Sequence, residues 1–347
     1  MGKRIIVAGG AGYIGSHVCV ALLEAGRDIL VIDDFSNSSP ESLKRIEEIT
    51  GKGFEILEAD LALESDRSKI LAAVNAFKPD SGIHLAGLKA VGESVAEPLR
   101  YYRTNIASAM TLVDALAQSD AKTLVFSSSA TVYGDLNPSP VNETGDTGAT
   151  NPYGRTKLFI EEILKDAAIA DRDWRICNLR YFNPVGAHSS GRIGEDPNGI
   201  PNNLFPFIAQ VAVGRRDELS VWGDDYPTRD GTGVRDYIHV VDLAAGHLAA
   251  LDHLSNNDKT GAIDINLGTG NGISVLEAVG AFKRASNRDI PYKIAPRRDG
   301  DIAEIYADAS QAKDRLGWTA ERTIEDMCAD HWRWQSQNPN GYDEGES

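Results

Sequence analysis

The sequence predicts an α/β protein with a doubly wound parallel sheet and a smaller C-terminal α/β lobe. In the first half of the chain, short β-type runs alternate with longer helical patterns, which is typical of a parallel sheet with helices on both faces. A glycine-rich turn, Gly9–Gly15, directly follows the first apolar run. After Arg180 the sequence becomes rich in Gly, Pro, Asn and Asp, which indicates loops at one edge of that sheet.

The elements of the first half follow from this alternation. Strands are expected at Arg4–Ala8, Asp28–Ile32, Phe54–Leu57, Gly82–Leu85, Thr123–Ser127 and Arg175–Arg180. Helices are expected at Ile14–Ala25, Pro40–Thr50, Asp66–Phe77, Val95–Ser119 and Pro152–Ala170. We expect the fourth helix to bend or restart at Pro98, because proline has no backbone N–H to donate.

The second half is predicted to close the sheet and build the smaller lobe. The segment 183–235 is expected to lie over the carboxyl edge of the sheet, where ligands bind in such folds. Strands Tyr237–Val241 and Ile263–Leu267, with a helix at Asp242–His253 between them, are expected to return to the main sheet. Helices near Ser274–Arg284 and Ile324–Gln335 complete the lobe.

Composition excludes some classes of protein. The 347 residues are 42% hydrophobic and 25% charged, which is typical of a soluble globular chain with one large and one smaller domain. The formal net charge of −16 argues against a nucleic-acid partner, because phosphates attract basic surfaces. No apolar run of about 18 residues occurs, so we expect no membrane span. Cys19, Cys177 and Cys328 are scattered, which predicts reduced thiols in a cytoplasmic protein and no metal site.

The glycine turn predicts a dinucleotide site of the Rossmann type. Gly10, Gly12 and Gly15 match one spacing of the motif, and Gly9, Gly12 and Gly15 match its longer variant. Glycine allows the sharp turn, the approach of a pyrophosphate and close packing of helix on strand. The helix that follows directs its N-terminal N–H groups at the phosphates. Asp33 and Asp34 end the second strand, where a carboxylate suits ribose hydroxyls and repels a 2′-phosphate, so we expect NAD and not NADP.

A second motif predicts proton transfer next to that cofactor. Tyr153 and Lys157 are four residues apart, and so share one face of a helix that Asn151 caps. A tyrosine with a pKa of about 10 is a poor base at neutral pH, and a decrease of about 3 units requires about 4 kcal/mol. We expect Lys157, the nicotinamide ring and the helix N-terminus together to supply this stabilisation of the phenolate. Ser129, at the end of a strand, is expected to bond the same substrate hydroxyl and relay its proton.

Seven longer stretches resemble the UDP-glucose 4-epimerase family of the extended short-chain dehydrogenase/reductase superfamily. They are Gly9–His17, His84–Ser94, Ser127–Gly134, Arg180–Ala187, Gly199–Leu204, Asp230–His239 and Ala295–Asp301. The resemblance spans residues 4 to about 342 and implies interconversion of UDP-galactose and UDP-glucose, in galactose metabolism. The sugar C4 would lose a hydride to NAD+ and become a ketone, the sugar would rotate, and the NADH so formed, which stays bound, would return the hydride to the other face. The resemblance also implies a homodimer through the helices near residues 95–119 and 152–170.

The resemblance further implies a residue for each contact. Cofactor contacts are implied for Gly9, Gly12, Tyr13, Ile14, Gly15, Asp33, Asp34, Phe35, Ser36, Asn37, Ser38, Asp60, Leu61, Leu85, Ala86, Gly87, Leu88, Lys89, Asn105, Tyr153, Lys157 and Phe182. Substrate contacts are implied for Ser129, Asn183, Asn203, Leu204, Ser220, Val221, Trp222, Arg235, Arg298, Asp301 and Ile305. The chain thus divides into an NAD-binding domain of residues 1–183, to which 236–270 return, and a UDP-sugar-binding lobe of 184–235 and 271–347.

The residue at position 305 leaves the range of substrates open, and three other classes of protein are alternatives to the proposed activity. Sugar-selective bacterial relatives tend to have Tyr where this chain has Ile305, so UDP-GalNAc and UDP-GlcNAc are also candidate substrates. A 4,6-dehydratase would need an acid and a base just after Ser129, where this chain has Ala130, Thr131 and Val132. A UDP-xylose or UDP-glucuronate 4-epimerase would differ mainly around the sugar C5 substituent. A cofactor-sensing regulator would usually lack the Tyr–Lys pair.

Overall fold

The computed structural model describes residues 3–256, 260–298 and 300–343. In chain order the strands are β1 (Arg4–Ala8), β2 (Asp28–Asp33), β3 (Glu55–Glu58), β4 (Ser81–His84), β5 (Thr123–Ser129), β6 (Arg175–Tyr181), β7 (Asn183–Val185), β8 (Leu219–Trp222), β9 (Val234–His239), β10 (Gly261–Leu267), β11 (Gly272–Ser274), β12 (Tyr292–Ala295) and β13 (Glu304–Ile305). A 3₁₀ helix, Ala130–Tyr133, follows β5.

The α-helices lie between and after these strands. They are α1 (Tyr13–Glu24), α2 (Pro40–Thr50), α3 (Glu64–Phe77), α4 (Val91–Ala96), α5 (Pro98–Gln118), α6 (Pro152–Ala170), α7 (Leu204–Ala212), α8 (Val240–Asn256), α9 (Val275–Ser286), α10 (Ser310–Leu316) and α11 (Ile324–Gln337). Among the described residues, no helix is both long and apolar enough to cross a membrane.

The main sheet has seven parallel strands in the order β10-β6-β5-β4-β1-β2-β3. Ile5 and Val7 of β1 pack into the core under α1 and α8, and Ile6 and Ala8 pack into the core under α3, α5 and α6. Because successive side chains of a strand point to opposite faces, a strand that is buried on both faces needs a continuous apolar run. The predicted fold class, a Rossmann-type doubly wound sheet with a smaller C-terminal part, is confirmed.

The C-terminal part has two smaller sheets. One contains β11, β9 and β13 in that order, with β7 also paired to β9, and the other is the pair β12 and β8. Helices α7, α9 and α11 pack around a third apolar core beside these sheets, which includes Phe205, Phe282 and Met327. The loop-rich segment thus contains β7, α7 and β8, which its composition did not predict.

Strand β9 corrects one prediction. The strand expected at Tyr237–Val241 runs from Val234 to His239 and does not join the main sheet, whereas β10 does join it, beside β6. The cause is the buried carboxylate of Asp236, which accepts hydrogen bonds from the backbone of Thr269, Gly270 and Ala307. These bonds hold β9 to the loop after β10 and to the chain after β13, beyond the edge of the main sheet.

The predicted break at Pro98 is confirmed. The helix expected over Val95–Ser119 is two helices, α4 and α5, and Glu97 between them has non-helical φ and ψ angles of −126° and 57°. Pro98 takes the first position of α5, where a helix needs no N–H donor. The kink places α4 and α5 side by side against α6.

Candidate active site

The glycines of the turn between β1 and α1 have different steric surroundings. Gly9 has a φ of +80°, and a Cβ on it would lie 2.6 Å from the backbone nitrogen of Ala86. A Cβ on Gly15 would lie 2.0 Å from the carbonyl oxygen of Gly9, so α1 packs directly on the turn. A Cβ on Gly12 would lie 3.5 Å from the carbonyl oxygen of Gly9, an ordinary contact distance, which leaves that side of the turn open. The turn therefore fits a dinucleotide pyrophosphate, and α1 has no side-chain cap to compete for its N-terminal N–H groups.

Asp33 ties the glycine turn to the next loop. Its Oδ2 accepts a hydrogen bond from the backbone N–H of Ala11 at 2.9 Å, and its Oδ1 accepts bonds from Phe35 N at 3.1 Å and Ser38 Oγ at 2.8 Å. Burial raises the pKa of the Asp33 carboxyl, and these three hydrogen bonds oppose that shift. The loop that it anchors contains the other cofactor residues predicted after β2: Asp34, Phe35, Ser36, Asn37 and Ser38.

The remaining predicted cofactor residues follow two neighbouring strands. Asp60 and Leu61 come after β3, and the segment from Leu85 to Lys89 comes after β4. Carboxyl ends of parallel strands meet at one edge of a sheet, so the structure brings these segments to the edge that holds the glycine turn.

Asn105 supports the loop after β4 from α5. Its Oδ1 accepts a hydrogen bond from Leu88 N at 2.8 Å, and its Nδ2 donates to Leu88 O and to Thr156 Oγ1, both at 3.0 Å. Its amide is thus engaged within the protein, between the cofactor-lining loop and α6. This geometry gives Asn105 a role in positioning that loop, and its predicted contact with the cofactor stays a prediction.

Helix α6 brings Tyr153 and Lys157 to the same edge. The predicted cap is confirmed, since Asn151 Oδ1 accepts a hydrogen bond from Gly154 N at 2.9 Å and Pro152 opens the helix. Tyr153 is 8% exposed and hydrogen-bonds Ser129 at the end of β5. Lys157 Nζ donates to the carbonyl oxygen of Ser127 at 2.7 Å and lies 6.0 Å from the centre of the Tyr153 ring.

The protein groups around Tyr153 set its pKa before any cofactor is considered. Burial raises the pKa of the Tyr153 phenol, and the hydrogen bond with Ser129 only partly opposes this shift. Burial also lowers the pKa of Lys157 to about 8, against the opposing effect of the Glu161 carboxylate. The protein groups alone therefore do not lower the tyrosine pKa, because removal from water outweighs their favourable interactions.

Most of the predicted substrate residues fall into three groups, which lie on or near the strands of the two smaller sheets. Asn183 lies on β7, and Phe182, just before it, packs with Val132, Tyr133 and Ile305. Ile305 on β13 is the register partner of Arg235 on β9. Ser220, Val221 and Trp222 lie on β8, where the Arg298 guanidinium sits 5.8 Å from the centre of the Trp222 ring and its Nε donates to Asp301 Oδ2 at 2.9 Å.

Glu195 was not predicted from the sequence, and it connects the loop after β4 with the start of α7. Its buried Oε1 accepts hydrogen bonds from Lys89 Nζ at 3.0 Å and from Asn203 Nδ2 at 2.9 Å. Lys89 belongs to the cofactor-lining loop, and Asn203 precedes Leu204 at the start of α7. Glu195 lies in the loop-rich segment without any recognisable spacing, and only the fold places it between these residues.

Comparison with known proteins gives matches over the whole chain. Residues 6–331 match the family model described as GDP-mannose 4,6 dehydratase. UDP-glucose 4-epimerase of Bacillus subtilis (strain 168) is 58% identical over 342 residues, which are 99% of this chain and 99% of that protein. The crystal structure of UDP-glucose 4-epimerase from Bifidobacterium longum, in complex with NAD+ and UDP, has a TM-score of 0.93 at 52% identity and covers 98% of this chain and 100% of its own. The enzyme from Stenotrophomonas maltophila, with bound NAD and formylated UDP-arabinopyranose, has a TM-score of 0.94 at 48% identity and covers 97% of this chain and 99% of its own.

A dinucleotide turn at the same sheet edge as a Tyr–Lys pair defines the short-chain dehydrogenase/reductase class, whose members oxidise and reduce alcohol carbons. The likeness to individual relatives is closer than this class requires. The chain belongs to the UDP-glucose 4-epimerase family. The resemblance that the sequence motifs indicated is thus confirmed.

Proposed function

We propose that this protein is an NAD-dependent isomerase that interconverts UDP-galactose and UDP-glucose. The observation that carries the proposal is the meeting of Tyr153, Lys157 and Ser129 at the sheet edge that holds the glycine turn. Membership of the family makes the sugar nucleotide the expected substrate. A bound NAD would supply a positively charged ring and would take up and return the hydrogen of the sugar C4 as hydride.

The chain's own groups handle the proton of the 4-hydroxyl. Tyr153 accepts that proton and later returns it, while Ser129, already bonded to the phenol, bonds the same hydroxyl. Lys157 remains charged and stabilises the phenolate across the 6.0 Å between Nζ and the ring. Because Tyr153, Ser129 and Lys157 are buried, few water molecules compete for these bonds.

The smaller lobe is proposed to hold UDP while the sugar turns. Arg235 and Arg298 suit the diphosphate, because a guanidinium binds phosphate oxygens in a fork. Trp222, largely exposed on β8, offers an apolar ring for the base. The proposed division therefore keeps residues 1–183 and 236–270 as the NAD-binding part and 184–235 and 271–347 as the UDP-sugar-binding part.

The test is NMR of the sugar anomeric signals in UDP-galactose with purified protein and no added cofactor. Appearance of UDP-glucose supports 4-epimerisation with resident NAD. The matched control is Tyr153→Phe, which keeps the ring and removes the proton-transfer group. If UDP-galactose remains unchanged even with added NAD+, the proposal is wrong, and a different nucleotide sugar or a non-catalytic role replaces it.

Ile305 favours a second, wider substrate range. Its side chain packs against the cluster that contains Phe182 and Tyr133, so it lies beside the proposed sugar site. Ile is smaller than Tyr, and a change of this size in a pocket alters the discrimination between two substrates by roughly 1–3 kcal/mol. We expect turnover of UDP-GalNAc, and we expect Ile305→Tyr to reduce it while UDP-galactose turnover persists. Wild-type protein that converts only UDP-galactose would rule this range out.

Elimination of water is less consistent with the site. A 4,6-dehydratase would need an acid and a base just after Ser129, and the 3₁₀ helix there carries Ala130, Thr131 and Val132. Thr131 instead uses its backbone N–H and hydroxyl to bond Ser129 Oγ, at 3.2 and 3.0 Å. The segment thus orients Ser129 and offers no group for elimination.

We further propose a homodimer that forms through α5 and α6. Leu99, Met110 and Phe159 are large apolar side chains left exposed on these helices, and Tyr102 stacks on Phe159 with ring centres 6.0 Å apart. Phe159→Glu should give a monomer in light scattering, and Ile294→Glu, at an equally exposed position on β12, should not. A wild-type monomer at micromolar concentration would contradict the proposal.

A cytoplasmic location is proposed because Cys19, Cys177 and Cys328 are unpaired.

A further inference from the structure

Glu161 extends the line of functional side chains on α6. Tyr153, Lys157 and Glu161 are each four residues apart, so they lie on one face of the helix. The Glu161 side chain is 0% exposed, and none of the roles described above uses it. A buried carboxylate is costly unless it is paired and hydrogen-bonded, so its partners show what it holds in place.

The first partner is on the strand that carries Ser129. Ser128 Oγ donates a hydrogen bond to Glu161 Oε1 at 2.5 Å. Ser128 lies between Ser127 and Ser129 on this strand. The carbonyl oxygen of Ser127 accepts a hydrogen bond from Lys157 Nζ, and Ser129 hydrogen-bonds Tyr153. The same bond therefore fixes the position of α6 relative to both contacts of the Tyr–Lys pair.

The second partner is on β6. Arg180 Nε and NH2 donate to the two oxygens of Glu161 at 3.0 and 2.6 Å, and NH2 also reaches Asp264 Oδ2 at 2.8 Å. Arg180 shortly precedes Phe182, a predicted cofactor contact, and Asn183, a predicted substrate contact. One carboxylate thus ties together the three elements that carry the reaction groups.

The electrostatic setting of Lys157 gives Glu161 a second effect. Burial lowers the pKa of Lys157 to about 8, and the Glu161 carboxylate is the group that opposes this. Burial also lowers the pKa of His84 on β4 to about 3, with Lys157 contributing, so the imidazole is neutral at pH 7. Other titratable groups also lie around Lys157 and Glu161. They are Tyr133 in the 3₁₀ helix, Arg180 and Tyr181 on β6, Asp264 on β10, and Tyr153 and Lys165 on α6. Helices α4 and α5 pack beside them, where uncharged Asn105 meets Thr156.

We propose that Glu161 is a positioning residue that holds α6 in register with the ends of β5 and β6 and places a negative charge one helical turn from Lys157. The inference rests on the proposed roles of Tyr153 and Lys157. Its two parts are separable, because one depends on the charge of the carboxylate and the other on the bond with Ser128.

The charge is tested by the pH dependence of kcat for UDP-galactose. The alkaline limb of the pH profile is the region where kcat decreases as Lys157 loses its proton. In Glu161→Gln this limb should move to lower pH by about one unit, because the negative charge near Lys157 is lost. Glu161→Asp retains the charge, so its limb should stay in place even though both variants lose stability. Glu162→Gln is the matched control, since Glu162 is the next residue, is largely exposed and pairs with Lys165. An unmoved limb in Glu161→Gln, or equal shifts in Glu161→Gln and Glu161→Asp, would overturn the charge effect.

One further measurement does not depend on the alkaline limb. Ser128→Ala, a milder change should Glu161→Gln not fold, should lower kcat several-fold with the KM and the limb unchanged. A wild-type kcat in Ser128→Ala would overturn the positioning effect. Full activity of Lys157→Met would instead refute the proposed function, so the two failures are distinguishable.

Discussion

Replacement of Lys157 by Met isolates the electrostatic part of the mechanism. Met keeps the length and apolar stem of the side chain and removes its charge. Across the 6.0 Å between Nζ and the Tyr153 ring, an effective dielectric constant of 20 gives an attraction of about 2.8 kcal/mol between the ammonium and a phenolate. That energy corresponds to about two pKa units. We therefore expect kcat at pH 7 to fall about 100-fold, and to recover about tenfold per pH unit in more alkaline buffer.

The assay is conversion of UDP-galactose from pH 6 to pH 10, with the NAD content of each preparation measured after denaturation. NAD content matters because Lys157 is also a predicted cofactor contact, so a loss of cofactor must be separated from a loss of base strength. Lys165→Met is the matched control, since Lys165 lies on the same helix and pairs with Glu162 and Asp264 away from Tyr153. A decrease of less than about tenfold in protein that retains NAD would refute the reasoning.

Three further changes test other parts of the account. Gly15→Ala places a Cβ 2.0 Å from Gly9 O, so the purified protein should lose its NAD absorbance, whereas Gly92→Ala, with no atom within 4 Å, should keep it. Glu195→Gln weakens the hold on Lys89 and Asn203, so the KM for UDP-galactose should rise roughly tenfold with a smaller change in kcat; an unchanged KM would contradict this. His331 is buried with neither ring nitrogen bonded, and burial lowers its pKa to about 4. As the pH falls below 6.5, the unfolded chain takes up this proton before the folded protein does, which destabilises the folded state. His331→Phe removes this effect, so its influence on the free energy of unfolding, measured with urea, should be about 2 kcal/mol more favourable at pH 5 than at pH 8. Equal shifts of the urea midpoint at both pH values would contradict this.

The features predicted well from sequence are local. Tyr153 and Lys157 share a face because residues four apart do so in any helix, and Asn151 and Pro152 mark where that helix begins. Pro98 divides α4 from α5 for an equally local reason. The continuous apolar run of β1 indicates a strand that is buried on both faces, and this predicts the parallel sheet.

The features that were missed depend on contacts between distant segments. Strand β9 leaves the main sheet because Asp236 bonds to residues beyond β10 and β13. Glu195 meets Lys89 across 106 positions of sequence. The raised pKa of Tyr153 reflects burial, which no spacing between residues reports. The individual cofactor and substrate contacts came from the family resemblance and stay predictions.

The most direct test of the central claim is isotope retention at the sugar C4. UDP-galactose is incubated in D₂O with the purified protein and no added cofactor, and the product is examined by NMR and mass spectrometry. The account predicts UDP-glucose that carries protium at C4, because the hydrogen removed from that carbon returns to it without exchange with water. Deuterium at C4 would show that C4 loses a proton to solvent, and would contradict the account.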